Sequence, residues 1–183
     1  MPTPVAPRKR LSVWGLLARV DEERIALLID TVAQRHGTPT FRPHITLVSD
    51  VKGGEAEARD AVRIVAGVTP RITLGVQSVT HSSQVFRAVV LECGYGDEAL
   101  QRLRDVLARD LIVRDQKPFR PHVSVVYGLL GEEERRAVAI GAEEQVGQTI
   151  TIASLSLVDT GSDDAGAWSS PFRDFALRES ASG

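Results

Sequence analysis

Apolar positions along the chain switch between a period of two and a period near 3.6, and the switches mark out the elements. Residues 11–17 (Leu-Ser-Val-Trp-Gly-Leu-Leu) read as a strand, and the acidic run Asp21-Glu22-Glu23 suits the N-terminal end of a helix. That helix carries Ile25, Leu28, Ile29 and Val32 at helical spacing and closes near His36-Gly37, with the glycine as C-cap. Thr38-Pro39-Thr40 leads into a strand. After Gly53-Gly54 a second helix runs through Ala58, Val62 and Val65, and a strand follows from Arg71 to about Val79. This completes a βαβαβ unit.

The same order then returns: a strand over 85–93, and a helix from about Asp97 to Arg109 with Leu100, Leu103, Val106 and Leu107 on one face. Another strand, a helix from about Glu132 to Glu143 and a strand over 149–158 follow. The stretch 168–177 looks like one extra strand. Within this order an octapeptide recurs: Phe41-Arg42-Pro43-His44-Ile45-Thr46-Leu47-Val48 comes back as Phe119-Arg120-Pro121-His122-Val123-Ser124-Val125-Val126. The histidines are 122 − 44 = 78 residues apart, and so are the strands that end each unit, 149 − 71 = 78. A common offset over several elements indicates duplication. We expect a disordered tail over 1–9 and one bilobal domain over 10–178. Its repeats cover about 10–80 and about 84–159, with the extra strand at about 168–178. Residues 79–85 leave room only for a turn, so the lobes should pack together.

In a strand that starts after proline, residues i and i+2 share a face. His44 and Thr46 therefore point one way while Ile45 and Leu47 point to the core, and the same holds for His122 and Ser124 against Val123 and Val125. A pseudo-two-fold axis relating the halves would bring two imidazoles and two hydroxyls to one cleft.

Composition narrows the partners. With 183 residues the chain can bury a core without staples. A formal charge of −2 and a pI near 6.1 argue against a general nucleic-acid coat, while a small phosphorylated ligand needs only local positive charge. The single cysteine, Cys93, forms no internal disulfide, sits in an apolar run and reads as an inert buried thiol, in keeping with a reducing, cytoplasmic setting. No apolar stretch approaches the ~20 residues of a membrane span, and the basic Arg8-Lys9-Arg10 reads as tail and not as a secretory signal.

Two facing imidazoles suit a reaction that needs one base and one acid near neutral pH. Opening of a cyclic phosphate is such a reaction: water loses a proton as it attacks phosphorus, and the departing ribose oxygen gains one on the opposite side. Thr46 and Ser124 would donate to the non-bridging oxygens. No metal or other cofactor is required. Zinc would want at least three protein ligands, and neither a third histidine nor an HExxH accompanies the motifs. Serine-hydrolase chemistry fits poorly, since GxSxG is missing and each hydroxyl lies beside its own histidine. His36, at a helix end, and His81, in a turn, read as solvated surface residues. Arg42 and Arg120 either reach phosphate or solvate the start of their strands. Tyr127 either stacks on a base or packs at a strand end, and Trp14 either packs in the core or stacks on a nucleobase. Glu132-Glu133-Glu134 is most simply an acidic helix start.

His44-Ile-Thr46-Leu and His122-Val-Ser124-Val resemble the paired H-x-[T/S]-hydrophobic signatures of the two-histidine phosphoesterases. Val13-Trp14, the first octapeptide and Pro121 through Gly128 are similar to the plant and fungal cyclic phosphodiesterase branch. The resemblance implies an α+β fold of two pseudo-symmetric lobes, each an antiparallel sheet flanked by helices, around a central cleft. It implies hydrolysis of ADP-ribose 1″,2″-cyclic phosphate, and of nucleoside 2′,3′-cyclic phosphates to 2′-phosphates. His44 and His122 would be catalytic, Thr46 and Ser124 phosphate-binding and Tyr127 a substrate contact, in a monomer with a small cyclic nucleotide as its partner. A bacterial branch acting on RNA ends shares the same four residues. A binding module that keeps the cleft without turnover is the third reading.

Overall fold

A computed structural model describes residues 10–113, 118–162, 168 and 174–179. The expected tail over 1–9 and residues 169–173 of the expected extra strand lie outside the described residues. Strands β1 (Leu11–Leu17), β2 (His44–Val51) and β3 (Ile72–His81) alternate with helices α1 (Arg19–His36) and α2 (Glu55–Val68). Strands β4 (Val89–Cys93), β5 (His122–Val126) and β6 (Thr149–Asp159) alternate with α3 (Glu98–Asp110) and α4 (Glu132–Ala142), and Phe175–Ala176 forms a short β7.

Local chemistry explains the boundaries. Gly37 closes α1 with φ 65° and donates its N–H to Ala33 O. The Asp97 carboxylate accepts from Leu100 N at 2.8 Å to start α3, and Glu134 reaches back to Gly131 N at 2.8 Å to start α4. One boundary differs from expectation: the strand expected from residue 85 begins only at Val89, after a 3₁₀ turn over Val85–Arg87. Ser82 imposes that turn, its hydroxyl donating to Arg87 O and accepting from Gln84 N. His81 is not in a turn but ends β3, exposed. His36 corrects the surface reading: its side chain is 11% exposed and lies 3.5 Å from Glu134 of α4.

All strand pairings are antiparallel, in the order β1-β2-β5-β4-β3-β6-β7, and β1 also pairs with β6. Six strands thus run in a closed circuit. The units do not close on themselves: β6, last in the second, lies beside β1, and β3, last in the first, lies beside β4. Two ladder positions mark the pseudo-two-fold axis, because there a residue meets its own counterpart. Ile45 pairs with Val123, and Thr73 pairs with Thr151, their hydroxyls 3.0 Å apart.

The main core lies between the sheet and the helices and contains Ile25, Ile29, Ile45, Leu47, Val62, Leu91, Leu100, Leu107, Val123, Val125 and Leu155. Burial of these side chains is the main stabilising contribution, roughly 1.5–3 kcal/mol for each large one. A separate cluster of Trp14, Leu16 and Val158, with Trp168 against it, covers the opposite face of β1 and β6. His44 lies on that second face, stacked on Trp14. Among the described residues no helix is long and apolar enough to cross a membrane.

Candidate active site

The pairing of Ile45 with Val123 puts the two motif strands side by side where they carry their chemistry. Alternation then turns His44, Thr46, His122 and Ser124 to the face opposite Ile45 and Val123, and extending the antiparallel register by one residue sets His44 beside Ser124 and Thr46 beside His122. The four residues expected to act together share one surface.

The imidazoles are held alike. Nδ1 of His44 is 2.7 Å from Arg42 O, and Nδ1 of His122 is 2.8 Å from Arg120 O. A carbonyl can only accept, so each Nδ1 carries the proton and each Nε2 of a neutral ring is left with a lone pair. The main-chain oxygen two residues back, set by the Arg-Pro step, therefore fixes the tautomer in both halves.

The surroundings are not alike. Trp14 stacks on His44 with centroids 3.5 Å apart and planes 8° from parallel, and His44 is 4% exposed. Burial, with smaller contributions from His122 and Arg42, pushes the His44 pKa down to about 4. The residue 78 positions after Trp14 is Glu92, which pairs with His122 across β4 and β5. Burial also lowers the His122 pKa, but the Glu92 carboxylate works against that, while Arg87 adds to it. Arg87 and Thr80 both bond Glu92 Oε1, at 3.2 and 3.0 Å.

Ser124 donates its hydroxyl to Phe86 O at 3.2 Å, and the Tyr127 hydroxyl is hydrogen-bonded to Ser124. Tyr127 is 5% exposed, stacks on Phe41 at 3.9 Å, and has its pKa pushed up to about 12 by burial, so it stays a neutral phenol. Phe86 and Trp168 contact Tyr127 edge-on, and Trp168 also meets Trp14. An aromatic wall thus borders the His44 side. Trp14 and Tyr127 are both packed, and both touch motif groups, Trp14 the His44 ring and Tyr127 the Ser124 hydroxyl.

Arg42 and Arg120 part company. Arg42 bonds Glu22 at 2.6 Å and Asp174 at 2.7 Å, so its charge is neutralised. Arg120 is exposed and makes no ion pair among the described residues. Sequence reasoning missed Phe86, Arg87, Glu92 and Trp168, which lie outside the octapeptides; the 78-residue offset from Trp14 was the one signal leading to Glu92. Cys93 is free and buried, its thiol pushed up to about 12 by burial. Among the described residues no three histidine, cysteine or acidic side chains gather as metal ligands would.

Two mirrored His-x-Thr/Ser strands sharing one face of an antiparallel sheet in an α+β fold define a two-histidine phosphoesterase. The chain belongs to the 2′-5′ RNA ligase superfamily, whose family model matches residues 19–164. In fold it is similar to TT0787 of Thermus thermophilus, at 16% identity, 93% coverage of this chain, 98% of that chain and a TM-score of 0.62. It is also similar to Escherichia coli LigT in apo form, at 18% identity, 92% and 97% coverage and a TM-score of 0.56. LigT complexed with phosphate gives 19%, 92%, 97% and 0.55. No curated protein sequence matches.

Proposed function

We propose that this protein is a metal-independent cyclic phosphodiesterase that opens nucleoside 2′,3′-cyclic phosphates to 2′-phosphates, and ADP-ribose 1″,2″-cyclic phosphate likewise. The observation that carries the reading is the pair of imidazoles on one cleft face, each with Nδ1 tied to a carbonyl and Nε2 left for proton transfer.

The unequal surroundings support a division of labour. His44, kept neutral by burial under Trp14, is the base: its Nε2 takes a proton from water as the water oxygen bonds to phosphorus. His122, whose charged form Glu92 favours, is the acid: its Nε2 proton goes to the ribose oxygen as that P–O bond breaks. Thr46 donates its hydroxyl to one non-bridging oxygen and Ser124 to the other, giving up its bond to Phe86 O, and these oxygens carry the developing charge. Phe86, exposed and packed against Trp168, offers a face to the nucleobase. A cytoplasmic monomer acting on a small nucleotide goes with this reading.

The test is product analysis with 2′,3′-cyclic nucleotides and ADP-ribose 1″,2″-cyclic phosphate in EDTA. A single positional isomer is expected. Tight product binding with no hydrolysis at any pH would favour a binding module instead.

A further inference from the structure

The motif hydroxyls of Thr46 and Ser124 offer a phosphate only neutral donors, and neutral hydrogen bonds are weaker than charged ones. Arg42, the octapeptide arginine of the first half, is tied to Glu22 and Asp174. A cation built into the site comes instead from outside the octapeptides, on the 3₁₀ turn over Val85–Arg87.

This turn is fixed on both sides. Phe86 O accepts from the Ser124 hydroxyl at 3.2 Å and Val85 O accepts from Gly128 N at 3.0 Å, while Arg87 O accepts from the Ser82 hydroxyl at 2.8 Å. The main chain of Arg87 is thereby set beside Ser124. Its guanidinium is set beside the ladder partner of His122, because Arg87 Nη2 donates to Glu92 Oε1 at 3.2 Å and Glu92 pairs with His122 across β4 and β5. The side chain remains 33% exposed. A guanidinium carries five N–H donors in a rigid fork, so one bond to Glu92 leaves others for a ligand. His122 feels the charge, which opposes its protonation.

Glu92 gives the cation a purpose. A carboxylate next to His122 favours the charged ring, but it also repels a phosphate arriving between the histidines. Thr80 and Arg87 bond the same carboxylate oxygen, and of the two only Arg87 offsets its charge.

Resting on the proposed function, we infer that Arg87 is a further catalytic residue: its guanidinium, anchored on Glu92 by one N–H, donates another to the non-bridging oxygen that Ser124 bonds and stabilises the charge that grows there as water adds to phosphorus.

Kinetics and equilibrium binding together test this. On a 2′,3′-cyclic nucleotide Arg87→Gln should lower kcat by about 10²-fold at the pH optimum, and Arg87→Lys should lose less. The same change in a Glu92→Gln background separates contact with phosphate from neutralisation of Glu92, since no carboxylate is left there to repel an anion. In that background Arg87→Gln should still lower kcat and should weaken adenosine 2′-phosphate binding about tenfold. A loss that vanishes in the Glu92→Gln background, or one confined to a shift of the alkaline limb, would show Arg87 acting only through Glu92 and His122 and would overturn the inference. If the wild type turns over no cyclic phosphate, the proposed reaction fails and the binding arm still decides. Equal affinity of Glu92→Gln and the double variant for adenosine 2′-phosphate then overturns the inference, and a tenfold loss supports Arg87 as a phosphate ligand.

Discussion

The indole of Trp14 lies flat on the imidazole of His44, 3.5 Å between centroids and 8° from parallel, while the corresponding neighbour of His122 is Glu92 with its carboxylate. A fold with near two-fold symmetry thus gives its two equivalent histidines unequal affinities for a proton.

Removing the indole should undo half of this difference. Trp14→Ala admits water to His44, lifting the desolvation that depresses its pKa, so the value should rise from about 4 towards 6.5. Histidine titration by NMR reads the shift directly. The large-to-small change should also cost about 3–5 kcal/mol of stability, and Trp14→Phe should retain most of both properties.

Stability should depend on pH through the same residue. The unfolded chain protonates His44 near 6.5 and the folded chain only near 4, so between these values the unfolded state binds more protons. The stabilisation is complete above pH 6.5 and is lost as pH falls towards 4, on the order of 3 kcal/mol from this group. Denaturant titrations across that window should show a shallower pH dependence for His44→Gln than for the wild type.

The assignment of acid and base predicts the shape of the kcat/KM profile. His44 must be neutral, giving an acid limb near pH 4, and His122 must be protonated, giving an alkaline limb below 6.5. Glu92→Gln removes the carboxylate that raises the His122 pKa and leaves Arg87 unopposed, so the alkaline limb should move to lower pH. A limb that stays in place or moves up would show that Glu92 does not raise the His122 pKa.

The hydroxyls should act on the transition state more than on binding. Thr46→Ala and Ser124→Ala should each lower kcat by about 10²-fold with smaller changes in KM, the size seen when one oxyanion donor is removed. Steady-state kinetics on a 2′,3′-cyclic nucleotide measures this, and a loss confined to KM would place the hydroxyls in ground-state binding only.

What could be read before the structure follows from how local each feature is. The octapeptides, their strand parity and the helical stripes at Ile25-Ile29-Val32 and Leu100-Leu103-Leu107 are short-range patterns. They led directly to the shared face of His44, Thr46, His122 and Ser124. The exchange of β3 and β6 between the lobes left no such trace, because a strand's alternation names its inner face and not its neighbour. The 3₁₀ turn at Val85–Arg87 was hidden under β-forming side chains, and a serine hydroxyl overrode their propensity. The contrast between Arg42 and Arg120 depends on Glu22 and Asp174, which are distant in sequence and meet only one of the two arginines.

The central claim is that two imidazoles jointly open one cyclic phosphodiester. Turnover of a 2′,3′-cyclic nucleotide in EDTA, by the wild type, His44→Ala, His122→Ala and the double variant, measures it most directly. The account predicts a single 2′-phosphate product and a loss of about 10²–10⁴-fold for each single change, with the double variant falling well short of the product of the two. Full activity in either single variant, or a requirement for added metal, would contradict it.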